Sequence, residues 1–360
     1  MNRDPASARR GIGLALVAAL LFGVSTPLAK LLLGDVHPQM LAAFLYLGSG
    51  LGLGSVWLAT RLLQTKRRET ALTRADLPWL AGAVAVGGVL SPLLLLMGLE
   101  RTAASSAALL LNLEGVLTAA LAWLAFGEHI SGRIAAGMVA ICAGGGVLAW
   151  QGSPTWTDEV GPLLIAGACL AWAIDNNLTQ KISGSDPVQI ASIKGLVAGT
   201  VNFSIAAATG SFATDPVHVI AALALGLFSY GVSLVCYLRA LRETGTARAT
   251  AYFSVAPFAG ALLAIVIWRE PLTPAFLVAS ALMLAGVWLH VTERHRHVHR
   301  HEPLVHAHVH VHDDHHDAGH RHGPGDPEPA DPLPHAHEHR HEPLVHTHEH
   351  YPDLHHRHGN

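Results

Sequence analysis

Long apolar runs recur along this chain, and they constrain its fold more than any other feature. A transmembrane helix needs about 20 mostly apolar residues, and a run in lipid must satisfy its own backbone hydrogen bonds as a helix. Charged residues make up only 14% of the chain, against about 25% in soluble domains. The predicted runs are 11–33, 39–60, 77–98, 103–126, 131–150, 161–181, 188–209, 217–240, 246–268 and 273–291. The sequence therefore predicts an all-α integral membrane protein of about ten transmembrane helices.

Lysine and arginine are unevenly distributed over the connections between the runs. With the N-terminus inside, the outer connections hold only Arg101 and Arg269, with Lys30 near the outer end of the first run. The inner side holds Arg3, Arg9, Arg10, Arg61, Lys66, Arg67, Arg68, Arg74, Arg133, Lys181, Arg239, Arg242 and Arg248. Because cytoplasmic loops are enriched in these residues, we expect a multi-pass protein of the inner (plasma) membrane with both termini in the cytoplasm.

The chain contains an internal repeat. Residues 112–150 align without a gap with residues 254–292, at an offset of 142. Each half holds five predicted spans, an odd number, so the two copies must cross the membrane in opposite orientations. Inverted repeats of this kind are a recurring plan of secondary transporters. The expected units are a short N-terminus 1–10, five-helix repeats 11–150 and 161–292, and a tail 293–360.

Two local patterns resemble a known family. Glu128 follows the fourth span and its repeat partner Glu270 follows the ninth, and the first span carries a Phe22 to Pro27 motif with Lys30. Together with the ten-span layout over about residues 11–291, these features resemble the EamA-type transporters of the drug/metabolite transporter superfamily. The resemblance implies a secondary carrier of small metabolites, often an exporter. Both glutamates lie at helix ends, and because Glu128 comes just before the helix that starts at Ser131, we expect a capping or loop-fixing role for it. The recurrence of the glutamate in both halves fits a structural task.

Glu114 is a carboxylic acid near the predicted middle of the fourth span, beside Asn112. The corresponding helix of the second half has Pro257, so the carboxyl departs from the pattern that the resemblance implies. An acid at the centre of a span costs on the order of 2–3 kcal/mol. Glu114 is therefore a candidate proton carrier that couples proton movement to substrate movement. The alternative is a permanently protonated side chain that hydrogen-bonds between helices.

A second polar cluster, Asp175, Asn176 and Asn177, lies in the cytoplasmic half of the sixth span. Three consecutive polar residues cover nearly a full helical turn, so they cannot all face lipid. They either line a cavity or mark a helix end closer to the interface. Lys194, two turns into the seventh span, either reaches the interface along its apolar stem or pairs with Asp175.

Trp172 and Tyr252 are candidate walls for an organic substrate, with packing or interfacial anchoring as the alternative. The mechanism that we expect is alternating access, with two halves rocking about a midplane cavity between the first, fourth, sixth and ninth spans. No phosphate-binding loop, nucleophile elbow or zinc-protease helix is present. The chain is therefore not expected to be an enzyme, and a gradient rather than ATP is expected to drive transport.

The composition changes abruptly after Val291, where most of the 26 histidines of the chain begin. The tail lacks the apolar residues for a core, so it is expected to be disordered without a ligand. Neutral imidazole suits zinc, nickel, cobalt and copper. The candidate metal ligands are His299, His301, His306, His308, His310, His312, His315, His316, His339, His341, His346, His348, His350, His355, His356 and His358. A solubilising tail without a metal role is the alternative.

Three functions fit these features. The first is a secondary transporter, an exporter, of a small metabolite or drug-like solute, with no required cofactor. The second is an exporter of nickel, cobalt or zinc, and the third is a metal-sensing or metal-buffering membrane protein. The expected partners are a small-molecule substrate, the bilayer and transition-metal ions at the tail. The net charge of −3 gives no reason to propose nucleic-acid binding, and an oligomer is compatible with the sequence.

Overall fold

The computed structural model of the chain describes its helical part and segments of its tail. The described residues are 5–62, 72–126, 131–150, 160–182, 185–210, 215–244, 249, 252–292, 295–301, 304–310, 335–341 and 344–350. Helices of the first half are α1 (Pro5–Gly23 and Ser25–Leu32), α2 (Pro38–Leu62), α3 (Arg74–Asp76, Leu77–Ala83, Val84–Leu90 and Ser91–Arg101), α4 (Ala104–Leu110 and Asn112–Phe126) and α5 (Gly132–Ala149). Helices of the second half are α6 (Val160–Gln180), α7 (Pro187–Ala208), α8 (Pro216–Gly226, Leu227–Val232 and Ser233–Thr244), α9 (Ala256–Trp268) and α10 (Pro274–Val291).

The helices form a membrane bundle. Among the described residues, eight helices are long and apolar enough to cross a bilayer. The other two are α9, which is apolar but has 13 residues, and α6, whose 21 residues include the polar cluster Asp175–Asn177. Large apolar side chains such as Leu124 and Trp288 are exposed on the outer faces of the bundle, where lipid is the solvent. The predicted all-α membrane fold is confirmed.

Equivalent helices of the two halves make equivalent packing contacts. Helix α2 packs against its counterpart α7, α4 against α9, and α5 against α10. Helix α1 packs on α8, and the equivalent pair in the other half, α6 and α3, is also in contact. Each helix therefore has packing partners equivalent to those of its counterpart in the other half, five helices along the chain. This is the packing expected for two related halves.

Helices α2 and α7 meet backbone to backbone at Gly50 and Gly195. A Cβ placed on Gly50 would lie 2.4 Å from the main-chain nitrogen of Leu196, and one on Gly195 would lie 2.7 Å from Cα of Gly50. Small residues at such crossings allow helices in a membrane to approach closely. This contact sets the spacing between α2 and α7, and Lys194 comes directly before Gly195 at the crossing.

Two helices, α1 and α4, are interrupted within their length, and a third, α9, begins directly after a turn. Pro27 has no N–H to donate to the carbonyl of Gly23, and α1 is interrupted at Val24. Pro257 acts in the same way at the start of α9, which follows a turn at residues 254–255. Helix α4 is interrupted at Leu111, whereas α6, the counterpart of α1, is continuous.

Helices α3 and α8 each contain a π-helical stretch, at Val84–Leu90 and Leu227–Val232. The two stretches occupy equivalent places in the repeat. The N–H of Ser91 donates to the carbonyl of Val86, and that of Ser233 donates to the carbonyl of Phe228, five residues earlier in each case. π-Bulges occur frequently at functional sites.

The described segments of the tail form four short strands: β1 (His295–His301), β2 (Leu304–His310), β3 (His335–His341) and β4 (Leu344–His350). Strand β1 pairs with β4 and β2 pairs with β3, both antiparallel. The expectation that the tail is disordered without a ligand stays a prediction. The strands themselves follow the alternation of histidine with one other residue, a period of two that suits an extended strand.

Candidate functional site between the two halves

Glu114 of α4 is hydrogen-bonded to Asn176 of α6. The Nδ2 of Asn176 donates to Oε1 of Glu114 over 2.9 Å and to the hydroxyl of Thr118 over 3.3 Å. Because α4 is interrupted at Leu111, Glu114 lies in the first turn of a new helical segment. The main-chain N–H groups of a first turn favour a negative charge. The break therefore gives an acid in the middle of a span a local stabilising environment.

Asp175 of α6 forms an ion pair with Lys194 of α7. Their side chains are only 4% and 19% exposed, and the hydroxyl of Thr179 donates to Oδ1 of Asp175 over 3.0 Å. Of the two interpretations of Lys194, pairing with Asp175 is therefore the correct one. An ionisable pair buried within a membrane bundle is expensive, and such pairs mark sites of function more often than of stability.

These residues form one cluster, which we call the midspan cluster: Glu114, Asp175, Asn176 and Lys194. Asp175 and Lys194 both lie within electrostatic range of Glu114. Glu114 belongs to the first half of the chain and the other three belong to the second. The cluster therefore lies at the boundary between the two halves.

Gly87 of α3 supports the midspan cluster through its carbonyl oxygen. This oxygen accepts hydrogen bonds from the hydroxyl of Tyr46, over 2.8 Å, and from Nε1 of Trp172, over 3.1 Å. The carbonyl is available because the π-helical stretch shifts the backbone pairing by one residue, and Pro92, five residues on, has no N–H to donate. Trp172 therefore anchors α6 to α3 through its indole N–H.

Gly87 also lies directly against Asp175. A Cβ on Gly87 would be 2.0 Å from Oδ2 of Asp175 and 2.4 Å from its Cβ. The neighbouring carbonyl of Gly88 accepts from Nδ2 of Asn202 over 2.9 Å, and Oδ1 of Asn202 accepts from Gln39 over 2.7 Å. Only glycine leaves room for the ion pair at this position.

The remaining predicted residues lie around the midspan cluster or away from it. Asn177 donates to the carbonyls of Thr118 and Ala173 and so holds α6 against α4. Asn112 donates to the carbonyl of Leu109 and approaches Met283 of α10. Tyr252 packs with a separate apolar cluster formed by Ala15, Ala240 and Ala249.

A row of aromatic rings connects the midspan cluster with that separate apolar cluster. The ring of Tyr46 lies 5.7 Å from Tyr230, Tyr230 lies 6.0 Å from Phe22, and Phe22 lies 5.6 Å from Phe253. Phe253 in turn lies 4.8 Å from Tyr237. These spacings are those of favourable aromatic pairs, so the row is a packed feature of the interface between α1, α2, α8 and the residues that precede α9.

Glu270 joins the two halves at the other end of α4. Its carboxylate accepts from the N–H of Ala104 over 2.9 Å, from the N–H of Ser105 over 3.1 Å, and from the hydroxyl of Ser105. Lys30 donates to the carbonyl of Thr102 beside it. Glu270 therefore caps a helix of the other half. Its repeat partner Glu128 lies outside the described residues.

Sequence reasoning missed Gly87, Tyr46, Thr118 and Thr179. Pro92 was a usable signal, because a proline within a predicted span leaves a carbonyl without its usual donor. Among the residues whose side chains the structure describes, no group of three or more His, Cys, Asp or Glu residues could hold a metal ion. Of the predicted tail ligands, His312, His315, His316, His355, His356 and His358 lie outside the described residues. The other predicted tail ligands lie on the four strands.

Comparisons with known proteins agree with this architecture. The model of the EamA-like transporter family matches residues 9–150 and again residues 159–292. A protein named as an uncharacterized transporter, from Methanothermobacter thermautotrophicus, is 30% identical over 287 residues, which cover 76% of this chain and 84% of that relative. A crystal structure at 18% identity has a TM-score of 0.57 over 78% of this chain and 95% of its own, and shows the fold alone. With two family matches that together span most of its length, this chain belongs to the EamA-like transporter family.

Proposed function

We propose that the chain is a secondary transporter that exports a small metabolite or drug-like solute across the inner membrane by alternating access. The midspan cluster is the observation that carries this proposal. Glu114 is contributed by one half, whereas Asp175, Asn176 and Lys194 are contributed by the other. A rocking motion of the halves changes the contacts at their shared boundary, and this boundary contains the ionisable groups.

Glu114 is the proposed proton carrier. When ionised it accepts the amide N–H of Asn176, as in the structure, and when protonated it also has an O–H to donate. A solute that enters between α4 and α6 competes for the same groups. Binding of the solute and protonation of Glu114 are then linked. The bound solute changes the affinity of Glu114 for a proton, and by reciprocity the proton changes the affinity of the site for the solute.

Asp175, Asn176, Asn177 and Lys194 are the proposed polar contacts for the solute. Asp175 and Lys194 neutralise each other, so the site contains no unpaired charge from this pair. A charged group on a solute replaces one member of the pair, and the amide of Asn176 offers both a donor and an acceptor. The arrangement favours a small polar organic solute.

The positive charge bias of the connections supports the proposed orientation, with both termini in the cytoplasm. Lys194 comes seven residues after Pro187, the first residue of α7, and so lies about 10 Å from that helix end. With the proposed orientation, the ion pair lies nearer to the cytoplasmic face than to the opposite face. A solute entering from the cytoplasm meets the ion pair before it reaches Glu270.

The second candidate function is export or sensing of a transition metal such as nickel, cobalt or zinc. The histidine strands of the tail are the observation that favours it. We propose that the tail binds such ions in either case. In the first function it is an accessory, and in the second it gathers the cargo.

An efflux and tolerance assay in a sensitive host tests these proposals. It compares cells expressing the full chain, a chain cut after Thr292, Glu114→Gln, and the control Glu100→Gln, whose side chain is exposed at the end of α3. The cells are challenged with nickel, cobalt, zinc and a panel of amino acids and drugs. We expect tolerance to an organic compound that survives the cut and Glu100→Gln but falls to the level of empty cells in Glu114→Gln.

Other outcomes of the assay reject particular parts of the proposal. Metal tolerance that disappears on truncation makes metal export the function. Organic tolerance that survives Glu114→Gln removes this residue from proton coupling, while the carrier itself stands. Exposure of the tail to a protease added only to the periplasmic side would reverse the proposed orientation.

A further inference from the structure

The four strands of the tail place histidine opposite histidine. In the β1–β4 pair, His295, His297 and His299 stand opposite His350, His348 and His346. In the β2–β3 pair, His306, His308 and His310 stand opposite His339, His337 and His335. Each strand pair, which we call a ribbon, therefore contains three cross-strand histidine pairs.

Both ribbons follow from the internal repeat of the tail. Residues 295–310 and 335–350 are copies of one pattern, and the two copies are aligned antiparallel in one register across both ribbons. Exchange of the copies converts one ribbon into the other. The same register also sets Arg296 opposite Glu349, and opposite charges in directly paired positions stabilise a strand pair.

The spacing of the histidine pairs suits a metal ion. Directly opposite residues have Cβ atoms about 4.5–5.5 Å apart, and histidines two residues apart on one strand share a face at a distance of about 7 Å. By this register, two neighbouring pairs place four histidine residues on one face of a ribbon. Four nitrogen ligands satisfy the tetrahedral preference of zinc.

A two-stranded ribbon is at best marginally stable in water by itself. If a metal ion binds only when two strands are paired, its binding free energy becomes free energy of folding for the ribbon. Metal binding and pairing of the two tail copies are then a single event. A chain with many independent mobile histidines has no such coupling.

We propose that each ribbon is a separate transition-metal site, built from histidine pairs that join the two copies of the tail repeat. This inference rests on the proposed metal binding by the tail and adds its architecture. It assigns His295, His297, His335 and His337 to the site, although they were not among the histidines predicted from sequence. It leaves out His301 and His341, which stand opposite Leu344 and Leu304.

Two variants with the same number of histidines removed test the pairing. The same-ribbon variant changes the six paired histidines of β2 and β3 to glutamine, which leaves the β1–β4 ribbon intact. The cross-ribbon variant changes the three paired histidines of β1 and the three of β2 to glutamine, which removes one partner from every pair. Binding of zinc to the full-length protein in nanodiscs is measured by equilibrium dialysis, and coordination is measured by the absorbance of bound cobalt.

We expect the same-ribbon variant to keep about half of the tight zinc sites and the cross-ribbon variant to keep almost none, because each site depends on two strands together. The remaining cobalt sites should give the intense spectrum of four-coordinate cobalt. Equal losses in the two variants would overturn the ribbon sites, since zinc binding by independent histidines depends only on how many histidines remain. If the chain cut after Thr292 binds as much zinc as the full chain, the proposal that the tail binds metal is rejected. The transport proposal is unaffected by that result.

Discussion

Ser91 and Ser233 make equivalent hydrogen bonds in the two halves of the bundle. Ser91 donates to the carbonyl of Ala168 over 2.7 Å, and Ser233 donates to the carbonyl of Ala18 over 2.8 Å. Both serines are buried. In each case the third helix of one half is joined to the first helix of the other, so the halves hold each other reciprocally.

Replacement of either serine by alanine should weaken the bundle by a similar small amount. Hydrogen bonds between helices in a membrane contribute about 0.6 kcal/mol on average, and the double variant should show the sum because the two bonds share no residue. Thermal unfolding in detergent measures the effect. Ser204→Ala is the matched control, since Ser204 is exposed and bonds within its own helix. A loss confined to one serine would contradict the equivalence of the two contacts.

Tyr46→Phe and Trp172→Phe should cost more together than the sum of the two single changes. The carbonyl of Gly87 has both residues as donors, so each single variant leaves it one partner. The double variant leaves a buried acceptor without either donor, at an added cost of about 1–3 kcal/mol. Unfolding of all four proteins gives the coupling, with the exposed Trp288→Phe as a control for loss of indole. Simple additivity would mean that another group replaces the lost donors.

Neutralising one member of the Asp175–Lys194 pair should be worse than neutralising both. Asp175→Asn or Lys194→Met alone leaves an uncompensated charge within the bundle, which costs about 3–5 kcal/mol. The double variant leaves no charge and should recover most of the folded yield. Yield and melting temperature in detergent measure the stability, and the efflux assay should show no transport in any of the three. A double variant as unstable as the single ones would mean that the pair does more than cancel charge.

Gly87→Ala should displace Asp175. The new methyl group would overlap the carboxylate, and overpacking of this kind costs about 1–3 kcal/mol. We expect a lower melting temperature and loss of transport. Gly146→Ala is the matched control, because a Cβ there meets nothing within 4 Å. Normal transport by Gly87→Ala would show that Asp175 can move without harm.

Glu270→Ala should destabilise the start of α4 by about 1–2 kcal/mol, as loss of a helix cap does. Glu270→Gln keeps one acceptor oxygen for the N–H groups of Ala104 and Ser105 and should recover part of this loss. Hydrogen exchange of these two amides measures the cap directly. Glu100→Ala, at an exposed position, should leave their exchange unchanged. Equal protection in Glu270→Ala and the natural chain would rule out the cap.

The helices and the repeat could be predicted because lipid imposes strong rules on sequence. Apolar runs in lipid must form helices, and a repeat at an offset of 142 residues can be found from the sequence alone. The Asp175–Lys194 pair could be proposed for the same reason, since two opposite charges in neighbouring spans have few other partners. The tail strands could have been predicted from the alternation of histidine, but the lack of apolar residues argued for disorder.

Pro92 signals that a carbonyl in this part of α3 lacks its usual donor, but the choice of Gly87 could not be predicted, because it depends on a shift in backbone pairing. Nothing in the residues from Val84 to Leu90 distinguishes a π-helical stretch from an ordinary helix. The placement of Tyr252 was also beyond the sequence, since an aromatic residue near a break faces either of two neighbouring clusters. In both cases the rotation of a helix about its own axis decides the contact, and hydropathy does not report rotation.

The π-helical stretches have a consequence for the history of the chain. Each half contains one at the same repeat position, yet only the one in α3 is followed by a proline at its second residue, Pro92, where α8 has Leu234. Two independent gains of such an unusual turn at one place are less economical than inheritance from a common five-helix ancestor. Inheritance from one five-helix ancestor therefore accounts for both turns, and the two copies now differ in the residue that follows the turn, Pro92 in one and Leu234 in the other.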